Sequence, residues 1–290
     1  MTVLVTGGTG LLGRAVLERL AGEQEVVALH RPASAPPPIA GVTWLEQDLA
    51  APLRPDLPAR VAGVLHLAQS RRHREFPAGA VDTFAINAMA TVRLLDYCDR
   101  AGGERFVLAS SGAIYGPGPA PLREEDAPDP PSFYGQSKLA AERAADEFRA
   151  RFAVAILRFF FVYGPGQDAG AFVPGLVTRV REGRPIDLQG TDGMRCNPIH
   201  VEEAAAASVA AWHRGDAEAA NVAGPEIVTL RRIGERLGEL VGIAPRFVEH
   251  PASGDLVADT ARMRARLLTP RIGLGEGLER MLSAQTPKPS

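Results

Sequence analysis

The sequence predicts an α/β fold, a doubly wound parallel sheet with a smaller C-terminal lobe, and three observations predict it. Short runs of β-branched and apolar residues alternate with helical patterns. Those runs are apolar throughout rather than alternating with polar residues, as strands covered on both faces require. The first run also leads straight into a glycine-rich turn, "VTGGTGLLG", from Val5 to Gly13. Strands alternating with crossover helices build a parallel sheet layered between helices.

In chain order, "TVLVT" is the first strand, and "LLGRAVLERLAG" follows with apolar residues at helical spacing. "EVVALH" is the second strand, left through a loop that carries Pro36, Pro37 and Pro38, residues that cannot donate to a ladder. "VTWLEQD", "VAGVLHLA", "RFVLASS" and "VAILRFFFV" supply further strands. Asn87 to Ala101 and Ser137 to Phe152 have helical periodicity and stand where crossover helices belong. After Val162 the rhythm changes to loops and helices punctuated by Gly and Pro. Residues 1–162 therefore read as a dinucleotide-binding domain, and residues 163–290 mainly as a substrate lobe with segments returning to the sheet. The closing "TPKPS" reads as a frayed tail.

Composition removes several function classes. In 290 residues, 32 Lys and Arg face 34 Asp and Glu, so no basic field exists to attract nucleic acid or an anionic membrane. Cys98 and Cys196 are the two cysteines, too far apart for a disulfide framework or a zinc site, and no metal site is expected. No apolar run reaches the ~18 residues of a membrane span, and no basic leader precedes the first strand. A cytoplasmic protein acting on a small molecule is the expectation.

Gly7, Gly10 and Gly13 stand between a strand and a helix, where small residues permit a tight turn and close approach to a pyrophosphate at the helix N-terminus. At the end of the second strand an acidic residue would accept hydrogen bonds from the ribose of NAD; the chain has His30 and Arg31 there. A guanidinium suits a 2′-phosphate, so NADP(H) is favoured over NAD(H) as cofactor, the alternative being that Arg31 is a solvated loop charge. Tyr134 and Lys138, in "YGQSK", are four apart and project from one helical face. A nearby ammonium favours the phenolate, and such a pair exchanges a proton with an alcohol or ketone. Ser111, ending "RFVLASS", offers a hydroxyl to the same oxygen.

With these stretches go "QDL" (Gln47–Leu49), "HLA" (His66–Ala68), Asn87, "SSGAIYG", "LRFFFVYGPGQ" and "NPIHVEEAA". Together they resemble the extended short-chain dehydrogenase/reductase superfamily, specifically its NAD-dependent epimerase/dehydratase family, over nearly the full chain. The resemblance implies a Rossmann-type sheet of about seven strands with a C-terminal substrate lobe. It implies cofactor contacts from Gly7, Gly10, Leu11, Leu12, Gly13, His30, Arg31, Asp48, Leu49, Leu67, Ala68, Asn87, Tyr134, Lys138 and Phe159. It makes Ser111, Tyr134 and Lys138 catalytic, Ser111 rather than Ser110 because it stands four residues before Tyr115. Ser111, Tyr134, Phe161 and Arg195 would meet the substrate, Arg195 at the diphosphate of a nucleoside-diphosphate sugar. A homodimer through the two crossover helices is implied as well.

Departures from the family narrow the activity. Gly112 and Ala113 stand where dehydratases of the family carry an acidic pair, and Ile114 and its neighbours supply no Glu where the decarboxylases have one. Phe161 replaces the Asn by which epimerases of the family reach the diphosphate. His200 reads as structural and Phe159 to Phe161 as mainly core. Arg71, Arg72, His73 and Arg74 read as a solvated loop or as an attraction for phosphate. NADPH-dependent reduction of a keto group, at C4 of a nucleotide sugar, is the expected activity. An NAD-dependent 4-epimerase is the close alternative, and a non-catalytic cofactor sensor the alternative of another class.

Overall fold

The computed structural model describes residues 1–32, 34–118 and 121–284, so "TPKPS" lies outside the described residues. The elements run β1 (Val3–Thr6), α1 (Leu11–Leu20), β2 (Val26–His30), β3 (Val42–Glu46), β4 (Gly63–His66), α2 (Ala80–Phe84), a π turn (Ala85–Met89), α3 (Ala90–Arg100), β5 (Arg105–Ser111), α4 (Phe133–Glu147) and β6 (Ala153–Phe159). There follow α5 (Phe172–Arg181), β7 (Ile186–Gln189), β8 (Arg195–Cys196), α6 (Val201–Arg214), β9 (Ala219–Val222), β10 (Val228–Thr229), α7 (Leu230–Val241), β11 (Phe247–His250), α8 (Ala261–Arg266) and α9 (Leu274–Ser283).

A seven-stranded sheet has the order β3-β2-β1-β4-β5-β6-β9. Neighbours from β1 to β6 pair in parallel, and β9 joins β6 in the same sense through Ile156 N–H to Glu218 C=O and Phe160 N–H to Val222 C=O. All four residues of β1 are buried, which is why its sequence is an apolar run. The edge strand β3 is only half buried and carries Thr43 and Glu46 at exposed positions. The chain runs outward from β1 to β3 and then returns to β4 on the other side of β1. The carboxyl ends of β1 and β4 therefore flank the reversal point, where open parallel sheets bind ligands.

Two helices differ from their sequence expectation at the start. α4 begins at Phe133 rather than Ser137, because the Ser132 hydroxyl accepts the Gly135 N–H at 3.1 Å and caps the first turn. The helix expected from Asn87 already begins at Ala80 and passes through the π turn that carries Asn87. Neither first turn has apolar residues at helical spacing, so periodicity does not reveal it.

The described chain forms two compact units. The first comprises Met1–Gly116, Ala127–Phe159 and Ala205–Ala220; Leu4, Leu29, Val64, Leu94, Phe106 and Ile156 are in its core. The second comprises Pro117–Asp126, Phe160–Ala204 and Asn221 onward. It holds two small sheets, antiparallel β8-β10 and parallel β7-β11, around Val177, Leu188, Ile233 and Leu278. Its helix α7 is capped by the Thr229 hydroxyl on the Arg232 N–H at 3.1 Å and stops at Gly242, whose φ of 75° is left-handed. Among the described residues no helix is long and apolar enough to cross a membrane, and no group of three metal-ligating side chains assembles.

Candidate active site

The turn between β1 and α1 explains its glycines by space. Gly7 has a φ of +76°, and a Cβ on it would lie 2.6 Å from the Ala68 nitrogen. A Cβ on Gly13 would lie 2.1 Å from the Gly7 oxygen. Helix α1 starts at Leu11 with no capping side chain on Gly10 and no acidic residue in its first turn. The N–H groups of Leu11, Leu12 and Gly13 thus stand at an uncapped positive helix end, which fits the pyrophosphate of a dinucleotide.

At the end of β2, His30 is half-buried, with Nδ1 3.0 Å from the Arg31 C=O and 3.2 Å from the Ser34 hydroxyl. Arg31 is exposed, and no carboxylate among the described residues pairs with it. Glu46 is the register neighbour of His30 on β3. Asp48 is exposed and accepts the Ala50 N–H at 2.9 Å, whereas the Leu49 side chain enters the core. After β4, Thr6 receives the N–H groups of Leu67, at its C=O, and Ala68, at its hydroxyl, at 3.2 and 3.3 Å. Asn87 is 2% exposed and committed at both ends: its Oδ1 accepts from Ser70 N and its Nδ2 donates to Ser137 Oγ, each at 2.9 Å.

Ser111, Tyr134 and Lys138 come together at the carboxyl end of β5. Register places Phe159 beside Ser111. Tyr134 is half-buried and donates its O–H to Gln69 Oε1 at 2.8 Å. Burial pushes the Tyr134 phenol up to about 12, while a hydrogen bond from Ser111 and the charge of Arg74 pull the other way. Lys138 Nζ donates to the Ala109 C=O at 2.8 Å rather than to Tyr134, because α4 lays that side chain along β5. Burial brings the Lys138 ammonium down to about 8, opposed by the Glu142 carboxylate. The groups that lower the phenol's pKa are therefore Ser111 and Arg74 rather than Lys138.

Sequence reasoning missed three residues and named a fourth, His73, only as part of a basic run. His73 lies with its ring 4.8 Å from that of Tyr134. Gln69 accepts the phenol proton. Glu142 and Arg158 form a buried ion pair at 2.8 Å, Glu142 also binding Ser110 Oγ and Arg158 donating to Tyr115 Oη at 2.5 Å. This pair holds Ser110, which adjoins Ser111, and Tyr115. Glu142 had a signal in the sequence, since it follows Tyr134 and Lys138 at the same four-residue interval.

Phe161 and Arg195 belong to the second unit. Phe161 has a φ of 47°, a left-handed conformation unusual for a bulky residue, and its ring lies 4.8 Å from Phe172. Arg195 makes a two-pronged pair with Asp255 at 2.7 Å, and its backbone N–H donates to the same carboxylate at 2.8 Å. Burial works against ionisation of Asp255, but these bonds hold its carboxyl below the usual range. His200 is fully buried, edge-on to Tyr163 at 5.6 Å between ring centres.

Comparison with known proteins finds the following likenesses. The model of a family described as "NAD dependent epimerase/dehydratase family" matches residues 3–223. A dTDP-4-dehydro-6-deoxyglucose reductase of Escherichia coli is 24% identical over 97% of this chain and 96% of its own. A UDP-glucose 4-epimerase of Azospirillum brasilense is 34% identical over 59% of this chain and 53% of its own. Among solved structures, MoeE5 in complex with UDP-glucuronic acid and NAD superposes with a TM-score of 0.83 at 30% identity, covering 98% of this chain and 99% of that one. UDP-glucose 4-epimerase of Thermus thermophilus, in complex with NAD, superposes with a TM-score of 0.83 at 28% identity, covering 98% of each chain.

Proposed function

Because this chain belongs to the NAD dependent epimerase/dehydratase family, we propose that it reduces a keto group, at C4, of a nucleoside-diphosphate sugar with NADPH. It is an enzyme of the nucleotide-sugar epimerase and reductase class. The observation that carries the finer reading is the end of β2. A carboxylate there would repel a 2′-phosphate; His30 and the exposed Arg31 attract one.

When bound, a nicotinamide dinucleotide would supply the hydride, and the uncapped start of α1, the backbone of Leu67 and Ala68, and Lys138 would hold it. Tyr134 is a phenol at neutral pH, as an unperturbed tyrosine also is, and so is already the acid that a ketone oxygen needs. Ser111 donates to that oxygen and afterwards to the phenolate, which the Arg74 charge also favours. Lys138 stays charged below about pH 8 and holds a ribose hydroxyl.

Fluorescence titration with NADPH and NADH tests the cofactor assignment. Arg31→Ala is expected to weaken NADPH at least tenfold more than NADH; equal losses overturn it. An NAD-dependent 4-epimerase is the second reading. It is favoured by the NAD and UDP-sugars bound in the solved relatives and by Glu46, a carboxylate one strand from His30 that would suit ribose hydroxyls. Retained NAD, with no net cofactor consumption on turnover, selects that reading. Both readings include a homodimer: Val81, Phe84, Met89 and Val92 are exposed apolar residues of one helical stretch.

A further inference from the structure

We propose that Gln69 is a positioning residue that partners Tyr134 in both of its ionisation states. The inference rests on Tyr134 being the proton donor of the proposed reaction. The Tyr134 O–H points at Gln69 Oε1 over 2.8 Å, so in the resting protein the proton to be transferred is held by this carboxamide. Gln69 is fixed at its base. Ala68 before it donates to Thr6 Oγ1, and Ser70 after it is fully buried with its N–H on Asn87 Oδ1. The loop thus runs from the backbone packed on Gly7 directly to the phenol.

The side chain itself is exposed, and no described residue accepts from its Nε2. A carboxamide is uncharged yet carries both an acceptor and two donors. Its oxygen serves the phenol; its N–H₂, after rotation of the amide, serves the phenolate that remains once the proton has left. Of the other groups facing Tyr134, only the Ser111 hydroxyl can also both accept and donate. Ser111 bonds the same oxygen from β5, and Arg74 acts on it through its charge. Lys138 is engaged at Ala109. His73, on the ring face, holds Nδ1 2.8 Å from the Ser70 carbonyl, which can only accept.

Gln69→Leu removes both functions at constant bulk, and Gln69→Glu keeps the acceptor but replaces the donor with a charge that opposes the phenolate. The test is NMR of protein labelled at tyrosine Cζ and saturated with oxidised cofactor, the Tyr134 signal being the one absent from Tyr134→Phe. At neutral pH the signal moves in Gln69→Leu, because the O–H has lost its acceptor. Its midpoint on titration rises by about one pH unit, the equivalent of one hydrogen bond to a charged group, and rises further in Gln69→Glu. Cofactor affinity and Tm remain those of the wild type. A Tyr134 signal in Gln69→Leu that superposes on the wild type across the pH range overturns the proposal. Turnover of Tyr134→Phe is a separate measurement: full activity removes the acid role and leaves the Gln69 result standing.

Discussion

At the scale of single residues, the site rests on a charged pair that takes no part in the chemistry. Glu142 is 2% and Arg158 8% exposed, and each is held by several bonds; burial opposes the Arg158 charge, but Glu142 and Tyr115 outweigh it and hold its pKa up. Glu142→Gln leaves a buried guanidinium without its counter-charge and is expected to cost about 3–5 kcal/mol in urea unfolding. Glu142→Leu with Arg158→Met recovers most of that loss; if the single change costs nothing measurable, the pair is not structural. Local spacing made Tyr134 and Lys138 legible in the sequence, since they share one helix. Gln69 and Tyr134 are 65 residues apart, and Tyr115 and Arg158 are 43 apart. No local pattern joins such residues before the strand order is known.

At the scale of elements, β4 is tied to its neighbouring strand β1 and to helix α3 by one imidazole. His66, 1% exposed, meets Thr6 Oγ1 at 2.7 Å through Nδ1 and Thr91 Oγ1 at 3.0 Å through Nε2. Burial, with the Lys138 charge, lowers its pKa from 6.5 to about 3. Between those values the unfolded chain takes up a proton and the folded chain does not, so stability falls as the pH drops from 6.5 towards 3. The slope from this group alone approaches about 1.4 kcal/mol per pH unit. Urea midpoints in that window are expected to depend less on pH in His66→Gln than in the wild type; parallel curves would show that His66 does not carry the effect. The strands were legible because a sheet covered on both faces demands apolar runs. The first turn of α4 was not, because the Ser132 cap rather than periodicity sets where it begins, and neither was the five-residue α2 that the π turn joins to α3.

For the whole molecule, the exposed stripe from Val81 to Val92 is the largest question of assembly. Val81 is 85% exposed, and the extra residue of the π turn keeps Phe84 and Met89, five apart, in line with it. Met89→Glu with Val81→Asp is expected to shift the protein from dimer to monomer in sedimentation without loss of cofactor affinity; a wild type that is already monomeric refutes the dimer. The parallel sheet expected from the sequence is the sheet of the structure, whereas the excursion Pro117–Asp126 into the second unit was not expected, because its prolines mark a loop but not which unit the loop joins. The left-handed Phe161 also bears on the molecule's future as much as on its present state. Its backbone gives up about 1–3 kcal/mol of a total margin of about 5–15 kcal/mol. Selection for heat resistance alone would drift towards Gly or Asn at 161, so what such a lineage lost on the way would reveal what the strain maintains.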